Sequence, residues 1–460
     1  MKIQVKNIGF IILMILLGIQ SSYADASEQY EKMWKEYEIL ISKGSNRDAL
    51  QIAQKIYDKA LKEKHVDQKF KAIIHIYQTR MVIEENSETN IINDLKTAID
   101  KSTSKDEQAL LKILLAQSYF SYYSANQYKI LERTYSEELS TDFMMWDAQQ
   151  YQQEISKLYL SALDQKNELQ KYPLDNYSAI IIKDNNAKFN LPIRTLSDLL
   201  FHEAIKYFSA SNIQLIDASN SFEINQKTFF ISAENFTKID LSSSNISSQW
   251  KALQLYQEWI SNLLLEKNNE ILSYIDNQRL LFIYDNYVGE KKNELYATSL
   301  KNAIEKYSTS SAKALFKSDL IQLWYNERAG GFDFTLTQIV KEAQKVIQDY
   351  PNTLGAVYMQ NLLGIIQSKS LNVRLEEYIR ANEAFKTLVE YQNISSVKYK
   401  IVEWKEINPK NIYLKNQEIW EALQRLKVAQ SRNFKLPASN DYLPHSIEFG
   451  LEGLAIGKYA

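Results

Sequence analysis

The stretch "SLNVRLEEYIRANEAFKTLVEYQNISSVKYKIVEW", residues 370–404, decides the fold. Leu371, Val373 and Leu375 stand two apart, as do Phe385, Thr387, Val389 and Tyr391, and then Val397, Tyr399 and Ile401. Further on, "SIEFGLE" repeats the rhythm with Ile447, Phe449 and Leu451. Side chains on a pleated strand point alternately to opposite faces. This spacing therefore predicts antiparallel strands with one apolar face, half exposed to water, as in a sandwich. A short helical segment, "NQEIWEALQRLK" at 416–427, interrupts the strands.

Upstream of residue 370 the period is that of a helix. "ALQIAQKIYDKAL" places Ala49, Ala53, Ile56 and Ala60 on one face, and "FKAIIHIYQTRM" does the same with Phe70, Ile73, Ile74, Tyr77 and Met81. Such stripes mark amphipathic helices. Ser45 followed by Asp48 is a start signal for the second helix, since side-chain oxygens can take up its free N–H groups. Residues 145–170 read as one further helix ended by Pro173, with Ile155, Leu158, Tyr159 and Ala162 facing inward. Leu196, Leu200, Ala204 and Phe208 mark another, and Leu336, Ile339, Val340, Ala343, Ile347 and Tyr350 another that stops before Pro351. Small alanines among large apolar residues, in helices of about 15–20 residues, predict antiparallel pairs of the tetratricopeptide type, without a strict 34-residue period. Residues 209–248, rich in Ser and Asn, read as a long connecting excursion.

The resulting expectation is a mainly α chain. A TPR-like helical hairpin array or α-superhelix is followed by an incomplete antiparallel β-sandwich. The expected divisions are 1–24 (signal peptide), 25–208 and 249–368 (helical regions flanking the 209–248 excursion) and 369–460 (β domain). Gly 11 and Pro 6 in 460 residues are few, which suits long helices. A net charge of −2 lacks the basic footprint of nucleic-acid binding. Cys 0 excludes disulfides, thiolate metal sites, a catalytic cysteine and a lipoprotein's acylated cysteine, so no lipid anchor is expected.

The N-terminus carries Lys2 and Lys6, then the apolar run Ile8–Ile19, then "QSSYADA". That is the layout of a secretory signal, with Ala24 and Ala26 as cleavage candidates. The run is too short to span a bilayer comfortably, which needs roughly 20 residues. Export to the periplasm, the cell surface or the medium is expected, with no membrane span after removal.

No residue earns a catalytic, cofactor or metal role. His65, His75, His202 and His445 lack metal-ligand spacing. "FHEAI" has Lys206 where a zinc-binding HExxH would need a second His. Gly330–Gly331 in "ERAGGFDF" lacks the Lys and further glycines of a phosphate loop and reads as a helix stop. Trp34, Trp146, Trp250, Trp259 and Trp324 sit at apolar helix positions and read as core. Asn176, Asn235, Asn245 and Asn393 stand in N-x-S/T triplets, idle in a bacterial chain.

The stretches "YSANQYKILERTYSEEL" and "MMWDAQQYQQEISKLYLSAL", then "LPIRTLSDLLFHEAIKYF" and "DYPNTLGAVYMQNLLGIIQSKSLNVRLEEY", followed by "YQNISSVKYKIVEW" and "YLPHSIEFGLEGLAIGKY", resemble the N-terminal part of large bacterial alpha-2-macroglobulin-like proteins. The resemblance covers nearly the whole mature chain through diffuse patterns of aromatics and leucines. It implies a helical region leading into a first macroglobulin-type domain. Residues 369–460 would be most of that domain without its closing strand, in a fragment or a truncated gene product. It also implies a part in protease inhibition by trapping. The family's C-G-E-Q thioester motif is absent, so no bait or thioester residue is carried over. What the resemblance implies for these residues is a non-enzymatic scaffold or docking region whose partner is a protein, a protease or an envelope component. The alternative from the residues alone is a stand-alone TPR-like helical binding module of the bacterial envelope.

Overall fold

A computed structural model describes residues 15–16, 24–134, 136, 140–182, 193–210, 223–242, 247–267, 269–308, 311–328, 333–404, 416–437 and 439–460. The chain is mainly helical, with a small antiparallel β region near its C-terminal end. It divides into two compact units, Met1–Lys313 and Ala314–Ala460. Among the described residues no helix is long and apolar enough to cross a membrane.

The first unit opens with α1 (Ala24–Ser42), α2 (Asn46–Glu63), α3 (Val66–Ile83), α4 (Ser87–Lys101) and α5 (Lys105–Leu131), each packed on its neighbour in sequence. The small-residue face expected on α2, Ala49, Ala53, Ile56 and Ala60, is wholly buried and lets α3 approach closely. Ser45 occupies the N-cap of α2, but its side chain makes no capping bond. Lys64 ends the helix in the left-handed conformation, φ 59°. Three aromatics latch α1 onto the next pair. Tyr30 donates to Glu63 Oε2 at 2.7 Å and Trp34 Nε1 to Gln68 Oε1 at 2.8 Å, while the Tyr37 and Thr79 hydroxyls share a bond of 2.8 Å.

The single helix expected over 145–170 is instead α6 (Ala148–Ala162) and a one-turn α7 (Lys166–Leu169), preceded by a 3₁₀ turn at Phe143–Met145. Asp147 sets the true start. Its carboxylate accepts the N–H groups of Gln149 and Gln150, and the Gln150 side chain accepts from Asp147 N, a complete capping box. Ile15–Leu16 (β1) pairs in parallel with Ile181–Ile182 (β2). α8 (Leu196–Phe208) buries Leu196, Leu200, Ala204 and Phe208 as the spacing predicts, and starts at a second capping box between Thr195 and Asp198.

Within the Ser/Asn-rich 209–248, the portions 211–222 and 243–246 lie outside the described residues. The portion 223–242 is no free loop: it carries the short α9 (Ala233–Phe236) and buries Ile224, Phe229, Phe230, Phe236 and Leu241. Its anchor comes from the helices that follow, α10 (Ser248–Glu266), α11 (Asn269–Asn286) and α12 (Lys292–Lys306). Arg279 of α11, fully buried, pairs with Asp276 at 2.6 Å and donates to Phe229 O at 2.9 Å and Ile231 O at 2.7 Å. Its guanidinium also lies over the Phe236 ring, 4.5 Å from the centroid. A buried arginine is tolerable only when its donors are met in this way.

The second unit opens, from Ala314, within α13 (Lys313–Glu327) and continues with α14 (Leu336–Asp349) and α15 (Leu354–Ile366). Ala314, Ile321, Leu336, Ile339, Val340, Ala343, Met359 and Leu362 form its helical core, with Trp324, Phe334 and Tyr442 against it. Gly355 is required here, because a Cβ would overlap the Ala314 carbonyl. After α15 the switch of period takes effect. β3 (Ser370–Leu375), β4 (Phe385–Gln392) and β7 (His445–Leu451) form an antiparallel sheet in the order β3-β4-β7. β5 (Ser396–Val402) and β6 (Val428–Lys435) form a second, with α16 (Asn416–Gln424) between them in sequence. β6, "VAQSRNFK", escapes an alternation search because its inner series is Gln430, Arg432 and Phe434, of which only Phe434 is apolar. Asn393, in the turn between β4 and β5 at φ 54°, donates from Nδ2 to Ile366 O and Ser368 O, both at 2.8 Å, which ties the turn to the end of α15.

Candidate docking site

The two sheets of the second unit face each other, and the register fixes which side chains meet. In the first sheet Val389 lies opposite both Val373 and Ile447, and Thr387 opposite both Leu375 and Phe449. In the second, Val397 lies opposite Phe434. Rings close the contact on the β6–β7 side: Phe434 stacks on Phe449 at 4.1 Å, and Tyr399 on Phe434 at 5.7 Å. Val389, Tyr391 and Leu436 are the buried heart of this small core.

Among the described residues the β3 side is open. Sheet one has three strands and sheet two has two, so with β6 over β7 no described strand covers β3. Leu371, Val373 and Leu375 point to the inner face, as their spacing predicts, yet they are 48%, 46% and 58% exposed. The result is a slot of about 740 Å³. Its floor is Leu371, Val373, Leu375 and Phe385, and its far wall Val397, Tyr399, Ile401 and Trp404. The volume lies in the range of ligand pockets, and the lining is mainly apolar. Glu376, Glu377, Lys398, Lys400 and Lys458 also border it.

The free edge of β5 is partly taken by the last residues. Val402 N donates to Ala460 O at 2.9 Å, Ala460 N to Val402 O at 3.0 Å, and Trp404 N to Lys458 O at 2.8 Å. Gly453 lets this tail cross the β3–β4 loop, where a Cβ would overlap the Asn382 backbone.

Elsewhere the candidate residues are dispersed. Ala24 and Ala26 lie in the first turn of α1, and most of the apolar run before them, with Gly330–Gly331 and Asn245, lies outside the described residues. His65 sits at the N-cap of α3 with its ring edge-on to Tyr30. His75 is held between Trp34 and Tyr37, where burial first, and Lys71 second, lower its pKa to about 4. His202 Nδ1 is 3.3 Å from Glu203 Oε1 on α8. His445 Nε2 bonds Asp441 at 2.9 Å and holds that carboxylate below its ordinary range. The structure brings no two of these histidines together, and among the described residues no group of His, Asp and Glu is arranged to hold a metal ion. Trp34, Trp146, Trp250 and Trp259 are buried, and Trp324 stacks on Phe334 at 4.1 Å. Sequence reasoning passed over Trp404, Phe434 and Tyr459, all lining the slot. Trp404 closes the β5 segment at the even-numbered position after Val402, and that was the available signal.

No family model, curated protein or solved structure matches the chain.

Proposed function

We propose that this chain is a non-catalytic, exported docking region of an alpha-2-macroglobulin-like protein. Its part in protease trapping is to hold a protein partner, while bait and covalent capture belong to other segments. The single observation that carries the reading is the slot. A sandwich whose three inner β3 residues stand about half exposed leaves an apolar surface that is stable in water only at a cost, and such surfaces mark interaction sites. The sequence resemblance supplies the family and the signal-like N-terminus supplies the export. The test is functional. The purified chain is incubated with peptide and glycan substrates and with a panel of endopeptidases. The expected result is no turnover and no loss of protease activity with this chain alone. Turnover of any substrate overturns the reading.

A second reading, the stand-alone TPR-like helical binding module of the envelope, draws on a groove of about 490 Å³ lined by Tyr57, Ile73, Tyr77, Arg80 and Asp94. Its rim charges already satisfy one another, with Arg80 on Asp94 at 2.6 Å and Lys69 on Glu107 at 2.6 Å. A photo-crosslinking side chain at position 375 or at position 57 separates the two. Capture of the same partner from position 57 alone favours the helical module.

A further inference from the structure

We propose that the groove lined by α2, α3 and α4 of the first unit binds a short stretch of uncharged glycan, held by its hydroxyls. The inference goes beyond the docking reading, and every residue it uses lies in the first unit.

Tyr77 is the decisive side chain. It lies on α3 and lines the groove, it is only 9% exposed, and its hydroxyl makes no hydrogen bond among the described residues. A buried hydroxyl without a partner costs free energy, so a ligand in the groove that supplies the bond gains by it. Burial first, and Asp94 second, push the Tyr77 pKa up, so the phenol keeps its proton and can both donate and accept. Tyr57 of α2, half-buried, lines the same groove, and its hydroxyl likewise makes no bond among the described residues. Lys69 and Arg80 line it as well, about 16 Å apart along α3 at roughly 1.5 Å per residue.

The charges around these hydroxyls set the ligand's chemistry, because they are already paired. Arg80 donates from Nε to Glu84 at 2.9 Å and from a terminal nitrogen to Asp94 at 2.6 Å, and Lys69 donates to Glu107 at 2.6 Å. A charged ligand would have to compete with one of these pairs. A neutral one need not, because the pairs keep unused capacity. The other terminal nitrogen of Arg80, the second oxygens of Asp94 and Glu107 and the remaining Lys69 donors make no bond among the described residues. Lys101 lines the groove from the last turn of α4, where its charge faces the negative end of that helix. Donors and acceptors therefore stand side by side, and a sugar hydroxyl, being both at once, matches them. A peptide finds less here. Ile73 and Ile76 are 7% and 8% exposed, so an apolar anchor residue gains little, and the backbone groups of a helix are bonded within it, so no strand can be added.

The experiment titrates the purified chain, by isothermal calorimetry, with the uncharged trisaccharides of glucose, mannose and N-acetylglucosamine. Acetate serves as the charged probe and an uncharged nonapeptide of alanine, serine and leucine as the peptide probe. At least one trisaccharide is expected to bind with a Kd below about 1 mM and without turnover. Tyr77→Phe removes only the hydroxyl and is expected to weaken that binding at least about threefold, with the melting temperature unchanged because the hydroxyl holds nothing within the protein. Asp94→Asn keeps the shape of the groove and is expected to weaken binding by a similar factor, while Leu375→Ser in the second unit leaves it unchanged. No binding of any of the three sugars, sugar binding that Tyr77→Phe leaves intact, a lowered melting temperature in Tyr77→Phe, or tighter binding of acetate or of the peptide would each overturn the inference. None of these results touches the slot of the second unit, so failure here is distinct from failure of the docking reading.

Discussion

Tyr151 and Val373 hold matching places in their patterns, each on the inward face of its element, and they end in opposite surroundings. Tyr151 is enclosed by Tyr119, Tyr122, Tyr123 and Trp146, and its hydroxyl donates to Phe143 O at 2.6 Å. Val373 faces a slot. The difference lies in who does the covering. A helical stripe is covered by other whole helices, for Tyr151 by α5, the helix before it in the chain. A strand's face is covered by the opposing sheet, so it depends on a strand at one particular place. In the first unit many partners are adjacent helices and some, as Arg279 with 223–242, lie about 50 residues apart; in the second, among the described residues, Lys458–Ala460 pair along the outer edge of β5.

The comparison can be broken most severely at Arg279. Arg279→Met leaves Asp276 buried without its partner and strips two carbonyls of their donor. About 3–5 kcal/mol should be lost in denaturant unfolding of the first unit. A loss under 1 kcal/mol would mean that the 223–242 portion is not held as described. Next is His75. Above about pH 6.5 it is neutral in both the folded and unfolded chain. Between there and about pH 4 the unfolded chain binds a proton that the folded one refuses, so stability falls with falling pH. The fall should reach roughly 2–3 kcal/mol by pH 4, and His75→Phe should remove that share of the acid limb. Identical pH profiles for the two proteins would refute the assignment.

Smaller effects sharpen the contrast. Asp147→Ala deletes a capping box and should cost about 1–2 kcal/mol, read as a lower melting temperature. Leu375→Ser, by contrast, should change stability by under about 0.5 kcal/mol, although the pattern marks it as an inward residue, because it is already in water. Binding of a hydrophobic dye should drop with it. A cost above 2 kcal/mol would mean that the slot is closed.

The sequence carried much of this at the level of local rhythm. The buried faces of α2, α8 and α14 follow from spacing alone, since each is a complete stripe. The β3, β4, β5 and β7 strands follow from alternation, and β6 does not, because Gln430 and Arg432 occupy its inner series. The core role of 223–242 was hidden by its serines and asparagines. Its anchor, Arg279, lies about 50 residues away, and no local window contains both. The slot itself was not legible. Which residues line it depends on how two sheets align, and that is a long-range property.

Asn393 gives the docking face a mechanical dimension. One amide grips two carbonyls at the end of α15 from the turn between β4 and β5. The turn and the end of α15 therefore move as one piece, and β5 starts three residues beyond that anchor. A change at position 393 would be felt both at the helix end and at the first strand of the second sheet.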